Sequence, residues 1–586
     1  MENNVCQNCK KEFILSNDDI GFYEKMKVPI PTFCPDCRSQ RRFIWRNERT
    51  LHKRECDLCR KGMIGLYPPG TPFPVYCYEC WHSDQWDGLD YGVSYDPTRT
   101  FFSQFKDILD KVPRLAIWIV QSTNSQYTNQ SYSNKNCYLS FALRDSENSA
   151  YITRVVKLKN CFDCLYTHNS EFTYEGVNVD KSYGSAFVDE AEGSVDSFFV
   201  SNSRNCQQCI GIVNLRSASN VFFGEKLSRE DYKKELDSLD LGSRQTIKTL
   251  KARFEEFKLG YPMKFAKLTN CQNTTGDHVS NARNCHNVFD GFDLENCSYS
   301  MWIYKCKEVY DSYGLGGSEF VYETMACEDI NNVKFCNVVD TSSYTEYSML
   351  SRGSNSIFGC VGIKSKEYCI LNKQYSKEEY EELRDKIIED MNNNPYQTPT
   401  GIIYRYGEFF PPEFSPYAYN QAVAQEVFPI TKEIALEKGF VWHEEKDRDY
   451  KITIKPEDLP DNIKDVQDSI VNEIIGCDHG GKCEEQCTTA FRIVDSELQF
   501  YRHINLPLPS LCPNCRHYGR LKLRNPLKLW TKSCGCAGTH SSNGAYKNTG
   551  AHSHGDEECS KEFETSYAPD CKEIVYCEKC YQQEVY

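Results

Sequence analysis

Cysteine is the residue type in this chain whose number and spacing most plainly point to chemistry, and that chemistry is metal binding. There are 32 cysteines, and Cys6-x2-Cys9 faces Cys34-x2-Cys37 while Cys56-x2-Cys59 faces Cys77-x2-Cys80. Two such knuckles bring four thiolates around one tetrahedral ion, the geometry of a structural zinc site. Near the other end Cys483-x3-Cys487 faces Cys512-x2-Cys515, and Cys534 joins Cys559, Cys577 and Cys580. Four closed four-sulfur sites leave no position for water, so the spacing predicts about four structural Zn2+ ions and no catalytic metal. Cys536 competes with Cys534 for the last site, and Cys477 and Cys571 are surplus. The segment that follows Cys536, AGTHSSNGAYKNTGAHSHGDEE, reads as a flexible loop. Its His552-x-His554 pair has ligand chemistry but reads as part of an exposed polar stretch.

The first module occurs twice. Cys9 to Asn47 returns as Cys487 to Asn525 with no gap. Phe13 aligns with Phe491 and Phe22-Tyr23 with Phe500-Tyr501, and the CPxCR knuckles Cys34–Arg38 and Cys512–Arg516 coincide. Val75-Tyr76-Cys77 aligns with Val575-Tyr576-Cys577, once an insertion between Cys534 and Cys559 is allowed for. The chain therefore carries an internal duplication with matching ends. The pattern C-x2-C-x3-F, then FY, then P-x-x-CPxCR-x3-R, resembles a probable zinc-ribbon (treble-clef-like) zinc-binding domain family of small bacterial domains. The whole layout resembles zinc-rich proteins of candidate-phylum bacteria. Those resemblances imply zinc binding and nothing catalytic, and the x3 spacing at Cys483/Cys487 departs from the pattern.

Behind each CPxC knuckle runs a basic stretch. Arg38, Arg41, Arg42, Arg46 and Arg49 crowd the first copy, and Arg516, Arg520 and Arg524 the second. If the knuckle opens a helix, Arg38, Arg42, Arg46 and Arg49 share one face. Such a face suits phosphate, with Trp45, Trp530 and Tyr518 able to stack on bases, so RNA or DNA is the expected partner. The competing reading is that these arginines neutralise zinc–thiolate charge or pair with acids of the same chain.

Between the modules a second rhythm runs. Small residues recur at Cys137, Ser149, Cys161, Ser170, Ser182, Ser194 and Cys206, and again at Cys285, Cys297, Cys306, Ser318, Cys327, Cys336, Ser348, Cys360 and Cys369. The intervals are twelve or nine residues, and Asn often precedes the small residue, as at Asn136, Asn148, Asn160, Asn205 and Asn284. Repeats of about 21 to 24 residues, built from short strands and Asn-bearing turns, predict a β-solenoid (parallel β-helix) with amide ladders at its corners. Ser and Cys interchange on this beat, so Cys161-x2-Cys164 and Cys206-x2-Cys209 read as core thiols and not as metal ligands. The segment from Cys209 echoes that from Cys360, so the solenoid is itself duplicated. Each half leads into a helix opened by Ser228-x-x-Asp231 or Ser376-x-x-Glu379.

The expected fold is therefore mainly β: a duplicated β-solenoid bracketed by N- and C-terminal four-cysteine zinc modules, with a few inserted helices. Boundaries fall at 1–96 for the first double zinc module and 97–134 for a connecting helix and the strand LAIWIV. Solenoid half one is 135–225, a helical insert 226–265, and half two 266–375. A helix, an extended Tyr/Pro-rich linker and an acidic segment with a strand at KITIKP fill 376–476, and the second double zinc module is 477–586.

Net charge of −15 argues against a wholly basic nucleic-acid coat. The longest apolar run, Leu115 to Val120, is too short for a bilayer, and the N-terminus lacks a signal-peptide pattern, so a cytoplasmic protein with no membrane contact is expected. Thiols in such numbers in a reducing compartment are ligands or buried groups. No P-loop, dinucleotide fingerprint, HExxH or GxSxG is present. Asp145, Asp163, Asp196, Asp290, Asp293 and Asp311 would be the carboxylates of a carbohydrate-active β-helix enzyme, although no pair stands out, and His278 and His286 read as surface residues. The sequence favours a zinc-dependent binding protein with nucleic acid as its partner. The alternatives are a zinc-capped scaffold that meets protein partners or self-associates, and, behind it, the enzyme.

Overall fold

The computed structural model describes residues 2–314, 316, 319–324, 334–444 and 450–586. Its core element is a parallel coil in which each strand pairs with the one twelve residues later, as in Thr153↔Leu165 and Ala186↔Phe198. One rung is thus twelve residues long, half the repeat expected from the sequence. The beats of nine are three-quarters of a turn: Cys161 Sγ donates to Ser170 O at 3.4 Å and Cys164 Sγ to Thr173 O at 3.5 Å, each nine residues on. The expected beats at Ser318 and Cys327 lie outside the described residues.

The corner chemistry has a period of three. Through most of the first coil every third residue has positive φ, for example Asn136 (53°), Leu139 (42°), Ala142 (53°), Asp145 (53°) and Asn148 (50°). The residue after each points inward and is small or aliphatic. Asn and Asp tolerate the left-handed region, which explains the Asn before the beat. Asn124, Asn136 and Asn148 stack their amides, Nδ2 to Oδ1, at 3.0 and 2.8 Å. Tyr151, Phe187 and Phe199 also sit at positive φ (58°, 59° and 56°). Strain of about 1–3 kcal/mol there is offset where the ring is buried, as for Tyr151 and Phe199, since burying such a side chain contributes about 1.5–3 kcal/mol.

Inward serines complete the backbone's hydrogen bonding. Ser149 Oγ donates to Glu147 O (2.9 Å) and accepts the N–H of Cys161 one rung on (3.0 Å); Ser348 does the same for the N–H of Cys360 (3.2 Å). Each turn leaves a backbone donor facing inward, and a hydroxyl or thiol there satisfies it. Cys161, Cys164, Cys206 and Cys209 are buried in these stacks, and each thiol donates to the backbone carbonyl two residues before it. They are core thiols, as the sequence implied.

The chain divides into two compact units, each discontinuous in sequence. One comprises Met1–Ile117, Ala266–Glu444 and Leu527–Leu529; the other comprises Trp118–Phe265, Glu445–Pro526 and Trp530–Tyr586. Each therefore joins one four-cysteine module to the solenoid half farther from it in the sequence. In the first unit the helix Phe101–Leu109, capped by Thr100, buries Phe101, Phe102, Phe105, Ile108 and Leu109. In the second, Phe254 of the helix Arg244–Lys258 meets Phe199 at 5.9 Å.

Four local expectations need correction. LAIWIV is not one strand: Arg114–Leu115 pairs with Val75–Tyr76 of the N-terminal cysteine module, and Ile119–Val120 begins the solenoid. The helical insert is two helices, Arg229–Ser238 and Arg244–Lys258, because Ser243 caps a new start after Gly242. The Tyr/Pro-rich segment is not an extended linker; it forms the hairpin Tyr396–Gln397 with Ile403–Tyr404 and buries Tyr404, Tyr406, Phe409, Phe410 and Phe414. KITIKP forms only an isolated bridge, Ile454 to Ile475. The Ser376 box is complete and the Ser228 cap one-sided, consistent with Asp being the shorter acid. Among the described residues no helix is long and apolar enough to cross a membrane.

Candidate metal centres

Four groups of four cysteines each bring their Sγ atoms within 4.8 Å of one another: Cys6, Cys9, Cys34 and Cys37; Cys56, Cys59, Cys77 and Cys80; Cys477, Cys487, Cys512 and Cys515; Cys534, Cys559, Cys577 and Cys580. All four are built alike. The first cysteine's N–H donates to the carbonyl two residues past the second: Lys11, Lys61, Thr489 and Lys561, at 2.8–2.9 Å. The next residue's N–H donates to the carbonyl two residues before the third cysteine: Thr32, Val75, Ser510 and Val575. The third cysteine then caps a helix: Cys34 for Pro35–Phe43, Cys77 for Tyr78–Trp81, Cys512 for Pro513–Leu521 and Cys577 for Glu578–Val585. Proline at the first position of two of these helices suits a turn whose N–H would be unpaired, and the helix dipole favours thiolate there.

Sulfur spacings fit a metal. A tetrahedron with Zn–S bonds of about 2.3 Å has S–S edges of roughly 3.8 Å. Cys9–Cys34 is 3.7 Å, Cys59–Cys77 3.9 Å, Cys477–Cys515 3.9 Å and Cys559–Cys577 4.0 Å. Backbone N–H groups of Cys77, Cys512 and Cys577 donate to the first sulfur of their sites, Cys56, Cys477 and Cys534, at 3.2–3.3 Å. These are donor sets suited to a cation.

The third site corrects the expected ligand set. Spacing alone makes Cys477 surplus and Cys483 a ligand. The backbone pairings place Cys477 where Cys6, Cys56 and Cys534 stand, with a longer loop before Cys487. Cys483 lies beside the site, its sulfur 3.6 Å from that of Cys515. Nearest-neighbour spacing favoured Cys483; only the Cys477 N–H to Thr489 pairing (2.8 Å) reveals the loop. In the fourth site Cys534, not Cys536, completes the set.

The arginines behind the knuckles are not an open phosphate-binding face. Arg38, Arg42, Arg516 and Arg520 are between 0% and 6% exposed. Arg38 Nε and Arg42 Nη1 meet Asp311 Oδ1 at 2.9 and 3.2 Å. Arg516 and Arg520 hold the two oxygens of Asp163, the latter at 2.6 Å. One solenoid aspartate thus takes two arginines in each unit. Nearby residues match as well: Phe22 stacks on Tyr310 at 3.9 Å and Phe500 on Phe162 at 4.4 Å, each the residue before the aspartate. One rung earlier, Tyr299 OH donates to Asp19 and Tyr151 OH to Glu497, both at 3.0 Å. The duplication therefore extends to how each module is held. Arg41, whose counterpart is Gly519, adds pairs to Glu323 (2.6 Å) and Glu408 (2.8 Å). Arg46 pairs with Glu48 at 3.2 Å, Arg49 lies 3.8 Å from Glu426, and Arg524 lies over the Tyr166 ring at 3.7 Å.

Electrostatics follow burial. Burial alone would lower the Arg38 and Arg516 guanidiniums, but Asp311 and Asp163 outweigh it and hold both well above the ordinary range. Burial prevails at Arg42, lowering it, and at Glu497, raising it despite Arg516.

The six aspartates considered for catalysis all have positive φ, from 47° to 58°. They stand at left-handed corners, which Asn and Asp tolerate well, and two of them serve as arginine anchors. His278 lies beside Asp277 at 3.7 Å. An open groove of about 1060 Å3 in the second unit is lined by the amide ladder, Tyr127, Phe172 and His503, and by none of these aspartates. No protein-family model matches the chain, and no curated protein matches it.

Proposed function

We propose that the protein is a zinc-braced β-solenoid scaffold and not a catalyst. The observation that carries this is the duplicated docking: in each unit a four-cysteine module lays a knuckle helix on the solenoid and buries two arginines on one aspartate. Removing one partner of a buried pair costs about 3–5 kcal/mol, so an arrangement built twice fixes geometry. The modules are zinc ribbons of treble-clef type, and zinc holds each knuckle helix at the angle its arginines need. Closed sites without a water position suit bracing. The solenoid's outer face, with rung-to-rung pairs such as Lys135–Glu147 (3.2 Å) and Lys159–Glu171 (3.6 Å), is the surface that meets protein partners or a second copy. A reducing compartment suits so many thiols.

Nucleic acid is the competing reading, and it rests on exposed lysines such as Lys53 and Lys522 instead of the arginines. Anisotropy titration of labelled RNA and DNA at low and moderate salt separates the two. The scaffold reading expects no steep salt dependence. Salt-steep binding that a Lys53→Glu/Lys522→Glu variant abolishes, with zinc retained, overturns it.

A further inference from the structure

The insertion that separates the C-terminal module from its N-terminal counterpart places a second donor set against the fourth cysteine site. Cys536 Sγ, His552 Nδ1, His554 Nε2 and Cys580 Sγ all lie within 4.8 Å of one another, and Cys580 is also a member of the Cys534/Cys559/Cys577 group. Zinc bonds of about 2.3 Å to sulfur and 2.0–2.1 Å to nitrogen imply S–N edges of roughly 3.5 Å and an N–N edge of roughly 3.3 Å. The structure has Cys536–His552 at 3.3 Å, Cys536–His554 at 3.5 Å, His554–Cys580 at 3.3 Å and His552–His554 at 3.3 Å.

The outer contacts set the state of each donor. His552 Nε2 lies 2.6 Å from Glu584 Oε1, a buried carboxylate that also accepts the Thr549 N–H (2.8 Å) and the Tyr546 hydroxyl (3.0 Å). His554 Nδ1 lies 2.9 Å from Glu557 O, which can only accept. Each imidazole therefore commits its proton outward, and two bare nitrogen lone pairs converge with two sulfurs on one point. Lone pairs facing at 3.3 Å repel unless a cation lies between them. A carboxylate or carbonyl on the far imidazole nitrogen is the usual support of a metal-bound histidine. Asn548 Nδ2 donates to Cys536 Sγ at 3.2 Å and is itself held by the Tyr576 hydroxyl at 2.8 Å. Cys536 and Cys580 are both fully buried.

We propose that the C-terminal module binds a fifth zinc ion through Cys536, His552, His554 and Cys580, with the Cys580 thiolate bridging it to the zinc of the fourth cysteine site. Two dications on five thiolates leave one net negative charge in place of the two on a lone four-thiolate site. The N-terminal counterpart, Cys56, Cys59, Cys77 and Cys80, lacks the insertion and stays mononuclear. This assignment rests on the fourth cysteine site holding zinc, and the test separates the two.

Native mass spectrometry of the zinc-loaded full chain is expected to count five zinc ions, and four in His552→Ala/His554→Ala. Cadmium NMR of the wild-type chain is expected to show two resonances split by coupling through the shared sulfur. Four ions in the wild type, five in both proteins, or five uncoupled resonances overturn the bridged site. A wild-type chain without zinc overturns the four-cysteine reading itself and the bridge with it. The wild-type count and spectrum decide the matter even if the double variant fails to fold.

Discussion

Replacing Asp163 by Asn is the sharpest perturbation of the docking. Asn keeps the size of Asp and tolerates the positive φ of 56° at this corner, so the backbone is not strained. What is lost is the charge shared by Arg516 and Arg520, whose side chains are each 4% exposed while that of Asp163 is 0%. Glu497 reaches only Arg516, at 3.3 Å, so Arg520 loses its carboxylate. Removing one partner of such a pair costs about 3–5 kcal/mol. At roughly 2–3 °C per kcal/mol for a body this large, melting of the unit should fall by roughly 10 °C. Asp145→Asn is the control, since Asp145 has the same corner conformation (φ 53°) and is exposed. Its expected effect is below about 0.5 kcal/mol. Urea and thermal unfolding followed by tryptophan fluorescence read both, and adding Arg520→Gln to Asp163→Asn should restore part of the loss. Equal effects of the two substitutions, or no coupling in the double variant, would refute the anchoring argument.

Other predictions follow from the same contacts. Cys477→Ser should lose one zinc ion while Cys483→Ser keeps the full complement, read by metal analysis of each purified variant. Phe500→Ala, which removes the stack on Phe162, should cost about 3–5 kcal/mol in unfolding experiments. Asn136→Ala breaks amide bonds on both sides and leaves Ala at positive φ, so about 1–2 kcal/mol should be lost. Glu497 is raised by burial, so the folded state holds its proton more tightly than the unfolded chain. Its contribution is then largest at low pH and declines as pH rises from the unfolded glutamate range towards the folded value. Glu497→Gln should remove that decline, and denaturant midpoints measured across mildly acidic pH check it.

Much of this was legible because the physics is local. A knuckle of two cysteines declares its ligands by spacing, and the Ser/Cys beat with Asn before it declares a coil corner. The three-residue period was harder to see, because Leu139, Tyr151, Phe187 and Phe199 occupy left-handed positions their types disfavour, Tyr151 and Phe199 held there by burial and Leu139 and Phe187 by packing, partly buried, against the same core. The true rung length was obscured in the same way, as twelves and nines are corners of one coil. Cys477 was missed because its loop to Cys487 is long and Cys483 lay nearer in sequence. Arginine-rich helices look like phosphate binders until their partners are known, and Asp163 and Asp311 are ordinary corner residues in the sequence. The insertion around His552 and His554 is polar and glycine-bearing, with nothing local to show that Glu584, some thirty residues on, orders it.

Hydrogen exchange of the zinc-loaded and chelator-stripped chain tests the central claim most directly. If zinc braces the modules onto the solenoid, stripping should raise exchange in the knuckle helices Pro35–Phe43 and Pro513–Leu521. Exchange should rise too in the facing rungs around Tyr151 to Asp163 and Tyr299 to Asp311, while the rungs around Ser182 stay protected. Knuckle helices and facing rungs that keep their protection after the metal is gone would contradict the account.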